Sequence, residues 1–168
     1  MPIKNYTTSI SEDKTVGEIM GMLAGKGARH VQISYDDRAR PDGISFIVHI
    51  KMATGDEFGV PVPFKLPCNF QGVFNSLLRN YKDRGARYRF ERNPESMAQA
   101  RRVAWRIIKD WIEAQMALVE SEQATLAQVF LPYAVTGNDN GASVTMYQKF
   151  IEQVTRTKAL PEAVTQES

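Results

Sequence analysis

The chain has 168 residues, 43% of them apolar and 24% charged, and a net charge of only +2. A chain of this length forms one domain that buries about 70% of its unfolded surface, so no metal or disulfide is required to hold it together. The single Cys68 cannot close an internal disulfide, no apolar run approaches the ~18 residues of a membrane span, and Met1-Pro-Ile-Lys-Asn-Tyr6 carries no apolar signal region; the expectation is a reducing cytoplasm and no membrane.

In chain order, Ile3 to Ile10 is expected as a first strand, because Tyr6, Thr7 and Thr8 favour extended backbone. Thr15 is placed to cap a helix with Val16, Ile19, Met20 and Leu23 on one face, ended by Gly27 in a left-handed turn. Val31, Ile33 and Tyr35 alternate as in a strand. Asp36-Asp37 and Pro41-Asp42-Gly43 mark a hairpin connection. Ile44, Phe46, Val48 and Ile50 form the inner face of the next strand, and Gly55-Asp56 turns the chain. Phe58, Val60, Val62 and Phe64 alternate in a further strand, placed at a sheet edge because Pro61 and Pro63 cannot donate to a ladder.

The second half changes to a helical period. Asn69 caps a helix bearing Phe70, Val73, Phe74, Leu77 and Leu78. Arg87-Tyr-Arg-Phe90 alternates and predicts a short strand with arginines on one side and rings on the other. Asn93 caps and Pro94 opens a long helix to about Val119, with Ala104, Ile107, Ile108, Trp111, Ile112 and Leu118 as its apolar stripe and Arg106 spaced to pair with Asp110. A shorter helix over Leu126–Leu131 stops at Pro132. Gly137–Gly141 is a loop. Ser143 caps a last helix carrying Met146, Tyr147, Phe150, Ile151 and Val154. The order β-α-β-β-β-α-α-α predicts an α+β fold, an antiparallel meander of about four strands covered by helices, with one domain over residues 1–155 and a flexible tail over 156–168.

Charge is distributed unevenly. Arg79, Lys82, Arg84, Arg87, Arg89, Arg92, Arg101 and Arg102 face only Asp83, Glu91 and Glu95 in the same window, which is therefore +5 while the rest of the chain is −3. Tyr81, Tyr88 and Phe90 sit among the arginines. Phosphates take positive charge and bases stack on flat rings, so this window is the candidate nucleic-acid site: Arg79, Lys82, Arg84, Arg87, Tyr88, Arg89, Phe90, Arg92, Arg101 and Arg102. Its bland alternative is a solvated arginine-rich loop whose rings tuck into the core.

Other chemistry finds less support. Gly25-Lys26 is followed by Gly27 and preceded by Met20 where a phosphate-binding loop needs glycine, so it reads as a helix end. His30 and His49 are isolated and Cys68 has no nearby ligand partner, so no metal or cofactor is expected; a Cys–His pair assembled in space has nothing positive behind it. Asp36, Asp37 and Asp42 read as turn formers, with Arg38 and Arg40 opposing a cation. Asp110, Glu113 and Glu120 read as a solvated helix face beside Arg106 and Lys109. Trp105 and Trp111 suit a wide buried stripe, although Trp105 lies off its centre and is also placed to be an exposed stacking residue.

The block Val103-Ala-Trp-Arg-Ile-Ile-Lys-Asp-Trp-Ile-Glu-Ala-Gln-Met-Ala-Leu-Val-Glu120 with Val129-Phe-Leu-Pro-Tyr133 resembles a block in small uncharacterised proteins of phages and prophages. Met1–Tyr6 and the Tyr35–Phe46 hairpin are similar to the same group. Together these cover about a quarter of the chain. The group has no assigned activity, so the resemblance implies no catalytic residues; it implies a mobile-element origin and expression inside a bacterial cell. The basic window is where the chain is least like the group. The leading expectation is a non-enzymatic protein that binds nucleic acid, single-stranded DNA above duplex, because aromatic interleaving suits unstacked bases and no groove-reading module is present. The alternatives are an accessory protein that docks on a host protein, and an enzyme whose site assembles only in space; a homo-oligomer is compatible with each.

Overall fold

The computed structural model describes residues 3–51, 58–139 and 142–159. The fold is α+β with antiparallel pairing, but the strands divide into a three-stranded and a two-stranded sheet and do not form one four-stranded meander. The larger sheet has the order β1 (Arg29–Tyr35), β2 (Pro41–Ile50), β3 (Val60–Leu66). Its register pairs Ile33 with Ile44, Phe46 with Phe64 and Val48 with Val62, so the alternation seen in the sequence puts Ile44, Phe46, Val48, Phe64 and Leu66 on one buried face. Pro61 and Pro63 lie on β3, which pairs with β2 on one side and, among the described residues, makes only the Phe64–Ala134 bridge outside that ladder. Phe58 does not join the strand. Gly59 has φ +69°, and a Cβ there would stand 2.9 Å from the Ile50 carbonyl oxygen, so the turn breaks the alternation and leaves Phe58 exposed. The expected Gly55-Asp56 turn lies outside the described residues.

Helices cover the buried face. In α1 (Glu12–Gly25) Val16, Ile19 and Leu23 point inward, but the cap is Ser11, which accepts from the Lys14 N–H; the acids Glu12 and Asp13 make the earlier start favourable. Thr15 is therefore inside the helix, buried, its hydroxyl donating to the Ser11 carbonyl. The helix ends as expected at Gly27, φ +96°, with the Ala28 and Gly27 N–H groups on the Leu23 and Ala24 carbonyls. Asn69 caps α2 (Phe70–Arg79) and Asn93 caps α4 (Pro94–Glu120), both as expected. On α4 the buried face is Ala100, Arg101, Val103, Ala104, Trp105, Ile112 and Met116. Trp105 is wholly buried, 6.0 Å from the Phe70 ring, which removes it as a stacking residue. Trp111 meets Phe130 and Tyr133 edge-on, and Phe130 in turn meets Phe46. Leu118, expected on the stripe, is exposed near the helix end.

Five further expectations are corrected. Residues 3–10 form no strand; they turn at Asn5 (φ +63°) and dock on α4, where Asp110 accepts from Asn5 at 2.8 Å and pairs with Lys4 at 2.9 Å. Partial burial would raise the Asp110 carboxyl, but the Lys4 and Asn5 hydrogen bonds and the Lys4 and Lys109 charges outweigh it and hold it below its ordinary value. Arg106 pairs with Glu18 of α1 at 2.7 Å, because Asp110 is taken by the N-terminal segment. After α5 (Leu126–Phe130) and a 3-10 turn over Leu131–Tyr133, the expected loop at Gly137 contributes to β4 (Val135–Asp139), which pairs with β5 (Ala142–Thr145). Ser143 lies within β5, and the cap of α6 (Met146–Ala159) is Thr145, whose hydroxyl accepts from the Gln148 N–H while the Gln148 side chain accepts from the Thr145 N–H, the same box that Thr125 and Gln128 make for α5. The last helix runs past Arg156 to Ala159, so the expected tail is helical over its first residues.

Candidate nucleic-acid interface

The window Arg87–Phe90 is not a strand. It lies in α3 (Arg84–Arg92), capped by Asp83, whose carboxylate accepts from the Gly85 and Ala86 N–H groups at 3.2 and 2.8 Å. Four alternating residues are too short a run to fix a period, and a strong cap ahead of good helix formers decides in favour of the helix. Arg89 and Arg92 lie in its last turn, where cations oppose the negative end of the helix dipole.

The helical spacing separates the two rings that a strand would have put together. Phe90 turns inward, its ring 5.5 Å from Phe74 of α2 and 5.1 Å from Tyr81, and this contact seats α3 on the body. Tyr88 turns outward and is 56% exposed. Arg84, Tyr88 and Arg92 follow at intervals of four and form one ridge. The Arg92 guanidinium lies over the Tyr88 ring, 5.3 Å from its centroid, and donates to the Tyr88 hydroxyl.

Arg79, Lys82, Arg84, Arg87, Arg89 and Arg92 are all exposed, and among the described residues none makes an ion pair. Arg79 donates only to the Ser76 hydroxyl, at 2.8 Å. Of the acids in the window, Asp83 is occupied by its cap, and Glu91 on α3 makes no ion pair among the described residues. This ridge is therefore a concentrated positive surface with its counter-charge left to solvent.

Arg101 does not belong to it. Its side chain is 4% exposed, lies with its guanidinium 4.1 Å from the Phe70 ring centroid, donates to Glu12 at 2.9 Å and to the Pro41 carbonyl, and stands 3.5 Å from Asp36. It ties α1 and the β1–β2 turn to α4. Asp36 organises that turn, accepting from the Arg38 and Arg40 N–H groups at 3.0 Å each. The Arg40 backbone N–H chiefly, with the Arg40 side chain and the Arg38 N–H, outweighs desolvation and holds the Asp36 carboxyl down at about 2. Arg102 is half-buried and forks onto Gln99 Oε1 at 3.1 and 2.6 Å, a positioning contact.

Beside the ridge opens a cleft of about 320 Å³ lined by Tyr6, Leu77, Asn80, Tyr81, Phe90 and Gln99. Tyr6 and Tyr81 are 49% and 41% exposed, so the rings are available to a guest. Gln99 donates to the Tyr6 and Thr8 carbonyls at 2.8 and 3.0 Å, which fixes the N-terminal segment and Tyr6 at the rim. Arg102 orients Gln99 from the other side. Tyr6 and Gln99 were not legible as site residues: they are 93 positions apart, and only the docking of the N-terminal turn on α4 brings them together.

Elsewhere, His30 and His49 are exposed, burial pushes the Cys68 thiol up and away from a reactive thiolate, and among the described residues no group of three or more His, Cys, Asp or Glu could hold a metal ion. Among the described residues no helix is long and apolar enough to cross a membrane. Comparison with protein-family models, with curated proteins and with solved structures finds no match to this chain.

Proposed function

We propose that this protein binds single-stranded nucleic acid, DNA in preference to duplex, and acts without catalysis. The observation that carries this reading is the row of six exposed, unpaired basic side chains from Arg79 to Arg92 bordering an open cleft with three aromatic rings. Phosphates would lie along Arg84, Arg87, Arg89 and Arg92. Unstacked bases would enter between Tyr6 and the Tyr81–Phe90 pair, with the Asn80 amide at the edge; Tyr88 offers a second stacking surface on the ridge. The cleft shares Phe90 with α3 and takes Asn80 and Tyr81 from the turn before it, so its lining alternates along the chain with the basic side chains.

The lining offers three rings and two side-chain amides, with the Tyr6 and Tyr81 phenols as its titratable groups, a composition that suits stacking and hydrogen bonding to a base. Resemblance to the phage and prophage group suggests a mobile-element protein at work in the bacterial cytoplasm, where single strands arise. Fluorescence anisotropy with matched single-stranded DNA, duplex DNA and RNA oligonucleotides tests the reading: the single strand of DNA should bind tightest, and equal or stronger duplex binding would remove the cleft from the account.

A further inference from the structure

Helix α6 is oriented against expectation. Its apolar residues Met146, Tyr147, Phe150, Ile151 and Val154 form one stripe, and every side chain from Met146 to Thr157 is exposed. Tyr147 and Phe150 are 57% and 60% exposed. The hydrogen bond toward the body comes from the polar side, where Lys149 donates to the Thr136 carbonyl of β4 at 3.4 Å, while Tyr147 at the edge of the stripe borders a cleft with Cys68 and Tyr133. Glu152 and Arg156 pair with each other at 2.6 Å on that same polar side. An amphipathic helix normally buries its stripe against its own core; here the stripe is turned to solvent.

We infer that a second copy of this chain covers the stripe, through antiparallel packing of two α6 helices about a twofold axis near Phe150. Residue order supports this occupant. Met146, Phe150 and Val154 form an i, i+4, i+8 ridge centred on Phe150, so an antiparallel copy sets Met146 against Val154 and Phe150 against Phe150. A twofold interface needs that self-complementarity, and ridges of this spacing interlock in the commonest helix-packing class. The stripe bears no charge among its five residues, so two copies meet without repulsion.

Area supports it too. With about half of each of five large side chains exposed, the stripe offers roughly 450 Å² of apolar surface, the size of the largest patch on a typical monomer, which is often functional. If that is about 60% of an interface, as is usual, each partner contributes roughly 750 Å², close to the ~800 Å² of a stable complex. This inference is independent of the nucleic-acid reading, since α6 contributes nothing to the ridge or the cleft.

The test is sedimentation equilibrium of the full chain from low micromolar to several hundred micromolar, with circular dichroism as a check on folding. The parent should self-associate to a dimer. Phe150→Glu, which would bury an unpaired charge at the axis, should weaken association at least roughly tenfold, while Thr155→Glu on the polar side should leave it unchanged. If Phe150→Glu fails to fold, a Phe150→Cys variant in a Cys68→Ser background decides the matter: oxidation should link two copies through position 150. A monomeric parent, a dimer insensitive to Phe150→Glu, or an unlinked Phe150→Cys variant would each overturn the inference.

Discussion

At the residue scale, the arginines of one charged window do two different jobs. Arg101 is buried on Phe70 between Glu12 and Asp36, whereas Arg84, Arg87, Arg89 and Arg92 are exposed and make no ion pair among the described residues. Removing Arg101 leaves carboxylates in a poorly hydrated site, so Arg101→Ala should destabilise the fold by about 3 kcal/mol, read from urea unfolding. Tyr6→Ala should do the reverse, leaving stability nearly unchanged and weakening single-strand binding by roughly fivefold to a hundredfold, the range of one lost stacking partner. Equal losses of stability for both variants would argue against this division. Asp36 gives a pH signature. Its carboxyl is held at about 2 against an ordinary 3.8, so the fold favours the ionised form. That contribution is complete above the ordinary value and disappears as pH falls through about 2. Asp36→Asn should therefore be less stable than the parent at neutral pH, with the gap shrinking between about pH 4 and pH 2. Acid unfolding followed by circular dichroism checks this; a constant gap would assign Asp36 only to the geometry of its turn.

At the element scale, local signals with a dedicated side chain were readable in advance. Asn69, Asn93 and Gly27 each mark a boundary through one hydrogen-bonding group or one backbone conformation, and each stands where the sequence placed it. Alternation over β2 and β3 spans enough residues to fix a face. Arg87–Phe90 failed because four residues fit two periods, and the Asp83 cap outweighed the pattern. The N-terminal segment failed for another reason: its partners, Gln99 and Asp110, lie about a hundred residues away, and a propensity for extended backbone carries no information about them. Of the candidate site, the charge was legible and the cleft was not, because the cleft is made by tertiary contact. The cap is also a lever on function. Asp83→Ala should remove about 1 kcal/mol of support from α3. It should also weaken nucleic-acid binding although Asp83 carries the wrong charge to touch phosphate. Tighter binding would mean that the arginines act as a flexible charged segment and that the helix is incidental.

At the scale of the whole molecule, a net charge of +2 conceals a strongly polarised chain. Among the described residues, the carboxylates that pair do so with basic groups outside the ridge, as Glu12 with Arg101, Glu18 with Arg106, Asp110 with Lys4 and Glu120 with Lys26. The ridge is thus the main place where positive charge is left for a partner, and the exposed stripe of α6 is the main place where apolar surface is left for one. The central claim is that the α3 ridge binds phosphates beside a base-accepting cleft. Its most direct test is the salt dependence of single-stranded DNA binding, measured by anisotropy for the parent and for a variant with Arg84, Arg87, Arg89 and Arg92 all changed to alanine. If about four phosphates are neutralised, log affinity of the parent should fall against log salt with a slope near −2.8, and the variant's slope should collapse toward zero. A parent that fails to bind at low salt, or a variant that keeps the parent's affinity and slope, would contradict the account.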